Sequence, residues 1–210
     1  MRALCLACAA VLLLASGVQA AGADPRELFS SLEQGGYVLV FRHVATDDSQ
    51  KDVYPFRFDD MTAQRQLSDK GREMARQMGA AIKKLEIPIG EVYTSRLNRA
   101  IETGKLLSGQ DVKPVDALTD SSAASTSGMA NPSGANAKAG AALRQLVDTA
   151  PRPGTNTLII THKTNMADAF GKQAGDVQEG EAFVYKSAGS GPSTFAARIK
   201  AEDWPTQAAN

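Results

Sequence analysis

The chain has only two histidines, and each follows a run of apolar residues. His43 comes after "YVLVFR", so Arg42 and His43 stand side by side at the end of a predicted strand. His162 comes after "NTLIIT", a second run of the same character. Continuous apolar runs are typical of strands buried on both faces of a sheet. The pattern therefore predicts that the two imidazoles lie at equivalent strand ends.

Three more polar residues follow predicted strands. Ser95 ends "GEVYTS", Arg99 lies about one turn into the next helix, and Asp120 lies in the loop after "VKPVDAL". Ligands of open α/β sheets bind beyond the carboxyl ends of the strands. Each residue also has a structural explanation, such as a hydrogen-bonded histidine, a surface arginine or a turn-forming aspartate. Because both histidines share one placement, we favour a common site.

These groups suit the chemistry of a phosphoryl group. A guanidinium offers a planar fork of donors that matches phosphate oxygens, and two guanidiniums neutralise a dianion. An imidazole nitrogen can attack phosphorus to form a covalent intermediate, and a second, protonated imidazole can stabilise the transferring charge. A carboxylic acid can protonate the leaving oxygen. Two histidines without a cysteine or a clear third ligand make a poor zinc site, so metal chemistry is the weaker interpretation.

The elements that position these residues alternate between strand and helix. We predict an α/β fold, a three-layer sandwich with a mostly parallel central sheet flanked by helices on both faces. Ser68 is a predicted N-cap for the helix that follows it. "EAFVYKS" and "STFAARIK" are predicted to form two strands joined by a glycine-rich turn. The residues 44–66 and 121–135 are predicted to be long loops at the mouth of the site.

Residues 1–20, "MRALCLACAAVLLLASGVQA", have the composition of a secretory signal peptide, with Arg2 before a short apolar run. We therefore expect a single domain over residues 21–210 in a periplasmic or secreted protein. Both cysteines, Cys5 and Cys8, would leave with the leader. The 23 basic and 23 acidic residues give no support for nucleic-acid binding. No later segment is apolar and long enough to span a membrane.

Four stretches of the sequence resemble the histidine phosphatase superfamily, also called the phosphoglycerate mutase-like fold. "VLVFRHVAT" is similar to the Arg-His-Gly hallmark of the family, and "QLSDKGREMARQMG" to its "LS-x-x-G-x-x-x-A" helix. "SRLNRAIET" matches its "S-x-x-x-R-A-x-x-T" stretch, and "LIITHKTNM" its late strand and histidine. The motifs occur in family order from about residue 37 to 200. With the leader, they resemble an exported branch of the superfamily.

The resemblance implies a role for each candidate residue. It makes His43 the phosphorylated nucleophile and assigns the phosphate pocket to Arg42, Arg99 and His162. It implies an acid in the loop after the third strand, where Asp120 is the first candidate and Asp116 the second. It implies neither a metal nor a cofactor.

The sequence departs from the family pattern at two positions beside the histidines. Val44 stands where the family has glycine, and Lys163 where a small residue is common. Either residue could narrow the pocket, and Lys163 could instead add a contact to an anion.

Three functions fit these observations. The leading hypothesis is an exported, metal-independent phosphomonoesterase of the histidine acid phosphatase kind, acting through a phosphohistidine on a small phosphorylated substrate such as a sugar phosphate. The alternative is a non-catalytic protein that binds phosphate or a phospho-sugar on the same fold. A mutase comes third, because such enzymes usually act on cytosolic acids whereas this chain is predicted to be exported.

Overall fold

A computed structural model of the protein describes residues 25–119 and 135–210. The predicted signal peptide, residues 1–20, and the predicted loop 121–135 up to residue 134 lie outside the described residues. The helices are α1 (Pro25–Glu33), α2 (Asp69–Lys84), α3 (Asn98–Ser108), α4 (Ala135–Val147), α5 (Lys163–Phe170) and α6 (Asp203–Ala209). Short 3₁₀ turns occupy Met61–Ala63, Asp116–Leu118 and Gly171–Ala174.

Six strands form one sheet in the order β3-β2-β4-β1-β5-β6. They are β1 (Tyr37–Arg42), β2 (Ile89–Thr94), β3 (Lys113–Pro114), β4 (Asn156–Thr161), β5 (Ala182–Lys186) and β6 (Thr194–Ile199). The pairs of β1 with β4, β4 with β2 and β2 with β3 are parallel. The pairs of β1 with β5 and β5 with β6 are antiparallel. The prediction of an α/β fold is confirmed, but the sheet is mixed where we predicted a mostly parallel one, because a terminal hairpin adds to the free edge of β1.

Helices cover both faces of the sheet, as predicted. Alternate residues of β1 point to opposite faces, so Leu39 and Phe41 join one apolar cluster while Val38 and Val40 join the other. The first cluster includes side chains from α1, α2, α3 and α6, and the second includes side chains from α4 and α5. These two cores hold the helices against both faces of the sheet.

The start of α2 packs against the chain that leaves β1. Ser68 caps the helix as predicted, because its Oγ accepts a hydrogen bond from the backbone nitrogen of Gly71 at 3.0 Å. A Cβ atom at Gly71 would lie 2.0 Å from the carbonyl oxygen of Ala45. Only glycine allows this approach, so the "LS-x-x-G" pattern holds α2 directly against the residues that follow His43.

Candidate active site

Three parallel strands end side by side at the candidate site. The backbone nitrogen of His43 donates to the carbonyl of Thr161 at 3.0 Å, which joins the end of β1 to the end of β4. The backbone nitrogen of Ser95 donates to the carbonyl of Ile160 at 3.0 Å, which joins the end of β2 to the same strand. The sheet register therefore brings His43, Ser95 and His162 together, as the sequence predicted.

The two imidazoles face each other inside the protein. Their ring centroids lie 5.2 Å apart, with an angle of 63° between the ring planes. His43 is only 3% exposed and His162 only 2%. The Nε2 atom of His162 is hydrogen-bonded to the Oγ of Ser95 at 2.8 Å. Ser95 thus orients the second imidazole through its side chain, which gives this residue a function beyond ending a strand.

The hydrogen bond of His43 defines which ring nitrogen carries the proton. Its Nδ1 lies 2.8 Å from the backbone carbonyl oxygen of Val44. A carbonyl oxygen only accepts hydrogen bonds, so Nδ1 must donate. In the neutral ring the lone pair then belongs to Nε2, the nitrogen on the far side of the ring. The backbone therefore holds His43 in the tautomer that a nucleophilic imidazole needs.

Burial lowers the pKa of His43 well below its usual value of 6.5. The positive charges of His162, Arg99 and Arg42 lower it further, while the hydrogen bond to the Val44 carbonyl partly opposes the shift. The ring is consequently neutral at pH 7, with its Nε2 lone pair available. A strongly shifted pKa with named charged neighbours is typical of functional sites.

Arg99 extends from the first turn of α3 and is fully buried. Its Nη1 atom forms an ion pair with Oδ1 of Asp52 at 2.9 Å, and the Asp52 side chain is only 9% exposed. Asp52 lies in the long excursion between β1 and α2. This carboxylate holds the guanidinium beside the histidines, and nothing in the periodicity of the sequence indicated it.

Arg42 is anchored by the segment that precedes β5. Its Nη1 donates to the carbonyl of Val177 at 3.0 Å, and its Nη2 pairs with Oε1 of Glu179 at 3.2 Å. Burial lowers the pKa of Arg42, the carboxylate of Glu179 opposes that shift, and the charge of Arg65 adds to it. Glu179 was not predicted, because it precedes β5 and lies 137 positions from its partner in sequence.

Of the two candidates for the proton donor, the structure describes one. Asp120 lies outside the described residues. Asp116 is described, and its side chain is 84% exposed and paired with Nη1 of Arg96 at 3.1 Å. Thr119, the residue before Asp120, is held to α5, because its carbonyl accepts a hydrogen bond from Nδ2 of Asn165 at 3.1 Å.

The two residues that depart from the family pattern differ in burial. The side chain of Val44 is fully buried in the apolar cluster that contains Phe41 and Leu67. It therefore points into the core rather than between the imidazoles. Lys163 begins α5 and is exposed.

Within residues 25–119 and 135–210, no group of three or more histidine, cysteine, aspartate or glutamate side chains is placed to hold a metal ion. In the same part of the chain no helix has the length and apolarity required to cross a membrane. The described site thus consists of two imidazoles, two guanidiniums with their carboxylate partners, and a serine.

Comparison with known families gives one match that covers more than half of the chain. The model of the histidine phosphatase superfamily (branch 1) matches residues 38–154. This span includes Arg42, His43 and Arg99 and ends before His162. No curated protein is detectably similar in sequence.

Several solved structures share the fold at low sequence identity. The protein histidine phosphatase SixA complexed with tungstate has a TM-score of 0.53 at 19% identity, over 80% of this chain and 98% of that one. A phosphoserine phosphatase mutant from Entamoeba histolytica has a TM-score of 0.53 at 13% identity, over 80% and 98%. A mycobacterial glucosyl-3-phosphoglycerate phosphatase has a TM-score of 0.52 at 15% identity, over 76% and 96%. At these identities the likeness shows a shared fold.

Proposed function

The chain belongs to the histidine phosphatase superfamily, and from that membership we propose that it is a metal-independent phosphomonoesterase that acts through a phosphohistidine on His43. One observation carries the proposal. His43 is buried, neutral and fixed in the tautomer that leaves Nε2 unprotonated, and it faces a second imidazole within a cluster of guanidiniums. An imidazole held in this way is suited to attack an electrophile that carries negative charge.

The proposed reaction has two displacements at phosphorus. In the first, the Nε2 lone pair of His43 forms a P–N bond while the ester P–O bond breaks, and the leaving oxygen takes a proton from an acid. In the second, water attacks phosphorus, the P–N bond breaks and the electron pair returns to Nε2. The same acid, now a carboxylate, accepts the proton of the water. The products are an alcohol and inorganic phosphate, and the enzyme regains its starting state.

We assign the phosphate pocket to Arg42, Arg99 and His162. Both guanidiniums lie close enough to His43 for their charges to lower its pKa, which suits them to neutralise the oxygens of a phosphoryl group. His162, oriented by Ser95, would add a donor or a charge where the phosphoryl group transfers. Asp52 and Glu179 act as positioning residues that hold Arg99 and Arg42 in place.

We assign the proton donor to Asp120 rather than to Asp116. The anchoring of Thr119 by Asn165 supports this choice, because it brings the preceding residue close to the helix that starts after His162. The exposure of Asp116 and its ion pair with Arg96 argue against the second candidate. Asp120→Asn should slow alkyl phosphates strongly and nitrophenyl phosphate little, because nitrophenolate departs without a proton.

We propose a sugar phosphate as the substrate, with its sugar ring packed against the loop that carries Asp52. Val53 and Tyr54 directly follow Asp52, and both are exposed apolar side chains, as is Met61. Apolar side chains grouped on a surface often mark a ligand groove. The similar structures do not select a substrate, because their names give different ones at equal likeness.

We also propose that the protein is exported to the periplasm or secreted, as in the exported branch of the superfamily. The composition of residues 1–20 supports this. Mass spectrometry of the protein from a periplasmic or culture fraction should find a chain that begins near Ala21. An intact Met1 in that fraction would contradict the proposal.

The covalent intermediate provides the decisive test of the activity. Mixing the purified mature protein with a phosphomonoester and quenching in alkali should trap an acid-labile, alkali-stable phosphoramidate on His43. Phosphate should be released in a burst from a generic aryl phosphate. If the protein binds phosphate yet forms no phosphohistidine and releases no phosphate from the aryl phosphate, it is a binding protein on this fold and not an enzyme.

A further inference from the structure

The segment that precedes α2 is fixed to the first residue of α3 by two glutamines. Oε1 of Gln64 accepts a hydrogen bond from the backbone nitrogen of Asn98 at 2.9 Å. Oε1 of Gln66 accepts one from Nδ2 of the same asparagine at 2.5 Å. Gln64 is extended, with φ −125° and ψ 138°. Side chains alternate along an extended chain, so Arg65, between the two glutamines, points away from Asn98.

The backbone of Arg65 is tied to the pocket as well. Its nitrogen donates to Oδ1 of Asp52 at 2.9 Å. The same oxygen receives Nη1 of Arg99 at 2.9 Å. The backbone nitrogen of Arg65 and Nη1 of Arg99 therefore lie no farther apart than twice 2.9 Å. Arg65 is built into the wall of the candidate site and does not belong to a loop that merely passes nearby.

Among the described residues, the guanidinium of Arg65 has no acceptor. Its Nε is buried, and within the described chain its side chain forms no hydrogen bond or ion pair. The Nε of Arg42 is likewise buried without an acceptor among the described residues. The two charges are close enough for Arg65 to contribute to the lowered pKa of Arg42. Two buried N–H donors on neighbouring like charges are costly unless an anion accepts from them.

The carboxylates of the site do not supply that anion. Asp52 is engaged by Arg99 and Glu179 by Nη2 of Arg42. These two pairs are each neutral overall, so Arg65 contributes the positive charge that is not compensated by a carboxylate among the described residues. The positive charge of Arg65 would therefore attract a dianionic ligand.

We infer that Arg65 is a third guanidinium of the pocket, which binds the same phosphoryl group as Arg42 and makes the site specific for a doubly charged phosphoryl group. The inference rests on the proposed function. The buried position of both Nε atoms assigns the contact to the phosphoryl group, since that is the part of a substrate that must reach His43. A second anionic group in the leaving part of a substrate would remain nearer the mouth.

The test compares Arg65→Gln with Arg57→Gln in the mature protein. Arg57 lies in the same loop and its side chain is 64% exposed, and its ion pair among residues 25–119 and 135–210 is with Asp60 at 3.8 Å, so it is a matched control. Calorimetric titration with orthovanadate and with inorganic phosphate should show affinity reduced about tenfold or more for Arg65→Gln and unchanged for Arg57→Gln. Arg65→Lys should recover part of the affinity, because it keeps the charge and loses the planar fork.

Kinetics then separate the phosphoryl group from the leaving group. KM for an aryl phosphate and for a phosphoglycerate should rise by the same factor in Arg65→Gln, since both carry the phosphoryl group that Arg65 binds. A rise in KM confined to the phosphoglycerate would mean that Arg65 binds a second anionic group of the substrate, and it would overturn the inference. Unchanged vanadate affinity in Arg65→Gln, with a wild-type protein that binds vanadate, would also overturn it and leave the proposed phosphatase intact. A wild-type protein that binds neither anion would overturn both.

Thermal unfolding distinguishes binding from a structural role. In buffer without anions, Arg65→Gln should unfold at an unchanged or higher temperature, because the substitution removes repulsion from Arg42. Addition of phosphate should then raise the unfolding temperature less than in the wild type. A variant that is several degrees less stable without anions would show that Arg65 supports the fold, contrary to the inference.

Discussion

Arg198 and Arg65 are both partly buried arginines, but their guanidinium groups have different surroundings. Arg198, on β6, binds both oxygens of buried Glu181, through Nε at 2.6 Å and Nη2 at 2.9 Å. Its Nη1 reaches Oδ1 of Asp176 at 2.8 Å, and its Cζ lies 5.0 Å from the centroid of the Phe183 ring. Arg65 has a buried Nε without an acceptor among the described residues.

The difference shows how to tell a structural arginine from one that binds a ligand. At Arg198 every side of the fork meets a protein acceptor, so the group joins β6 to the loop before β5. At Arg65 and Arg42 the fold brings like charges together, and their buried Nε donors find no acceptor in the described part of the chain. Burial alone does not separate the two cases, whereas the list of acceptors does. Substitutions in the two regions should accordingly change different properties.

The largest effect is expected at His43. We predict that His43→Ala lowers kcat by several orders of magnitude, because the covalent route disappears. His162→Ala should lose less, since it removes a stabilising contact and not the attacking atom. Steady-state kinetics on an aryl phosphate with both variants would measure the two losses. Measurable turnover in His43→Ala at a rate near that of the wild type would mean that water attacks phosphorus directly.

The next effect should appear in stability and not in catalysis. Arg198→Gln leaves the buried carboxylate of Glu181 without its bidentate partner, and breaking such a pair costs about 3 kcal/mol of unfolding free energy. Arg76→Gln, which removes an exposed pair with Glu73, should cost less than about 0.5 kcal/mol. Urea unfolding would measure both. Vanadate affinity should stay at the wild-type value in both variants, and a tenfold loss in Arg198→Gln would break the distinction between the two regions.

A smaller loss is expected at Arg99. Arg99→Lys keeps a positive charge opposite Asp52 but removes the planar fork, so one charge-assisted hydrogen bond to phosphate should be lost. Such a bond contributes about 1.5 to 3 kcal/mol, which corresponds to about tenfold or more in vanadate inhibition. Arg76→Lys is the control on an exposed helix surface. Equal inhibition of Arg99→Lys and wild type would return Arg99 to a purely structural role.

The sequence predicted the parts of the fold and site that local patterns determine. The buried strands β1 and β4 were recognisable from continuous apolar runs, and the histidines at their ends followed from those boundaries. The place of the terminal hairpin was not predictable, because local sequence does not say which strand edge it joins. Asp52 and Glu179 were not predicted, for a similar reason. Their contacts with Arg99 and Arg42 are tertiary, and the segments that carry them have no helical or strand period.

The smallest predicted effect is the pH dependence of stability, which tests whether the pocket suppresses protonation of His43. The folded-state pKa of His43 lies well below 6.5, so between that pKa and 6.5 the unfolded chain binds more protons than the folded one. The free energy of unfolding should therefore fall as the pH falls below 6.5, by up to about 1.4 kcal/mol per pH unit. His43→Gln should lack this component, so its stability relative to the wild type should rise as the pH is lowered from 7 to 5.5 in urea titrations.

The acidic limb that His43 imposes on kcat/KM should also lie below pH 6.5, because that parameter reports the free enzyme. Suppose instead that this acidic limb of kcat/KM lies at or above pH 6.5, that no substitution at another residue removes it, and that the two proteins have parallel stability curves. The burial and surrounding charges of His43 would then not keep its ring neutral. The nucleophile would then need another residue to remove its proton.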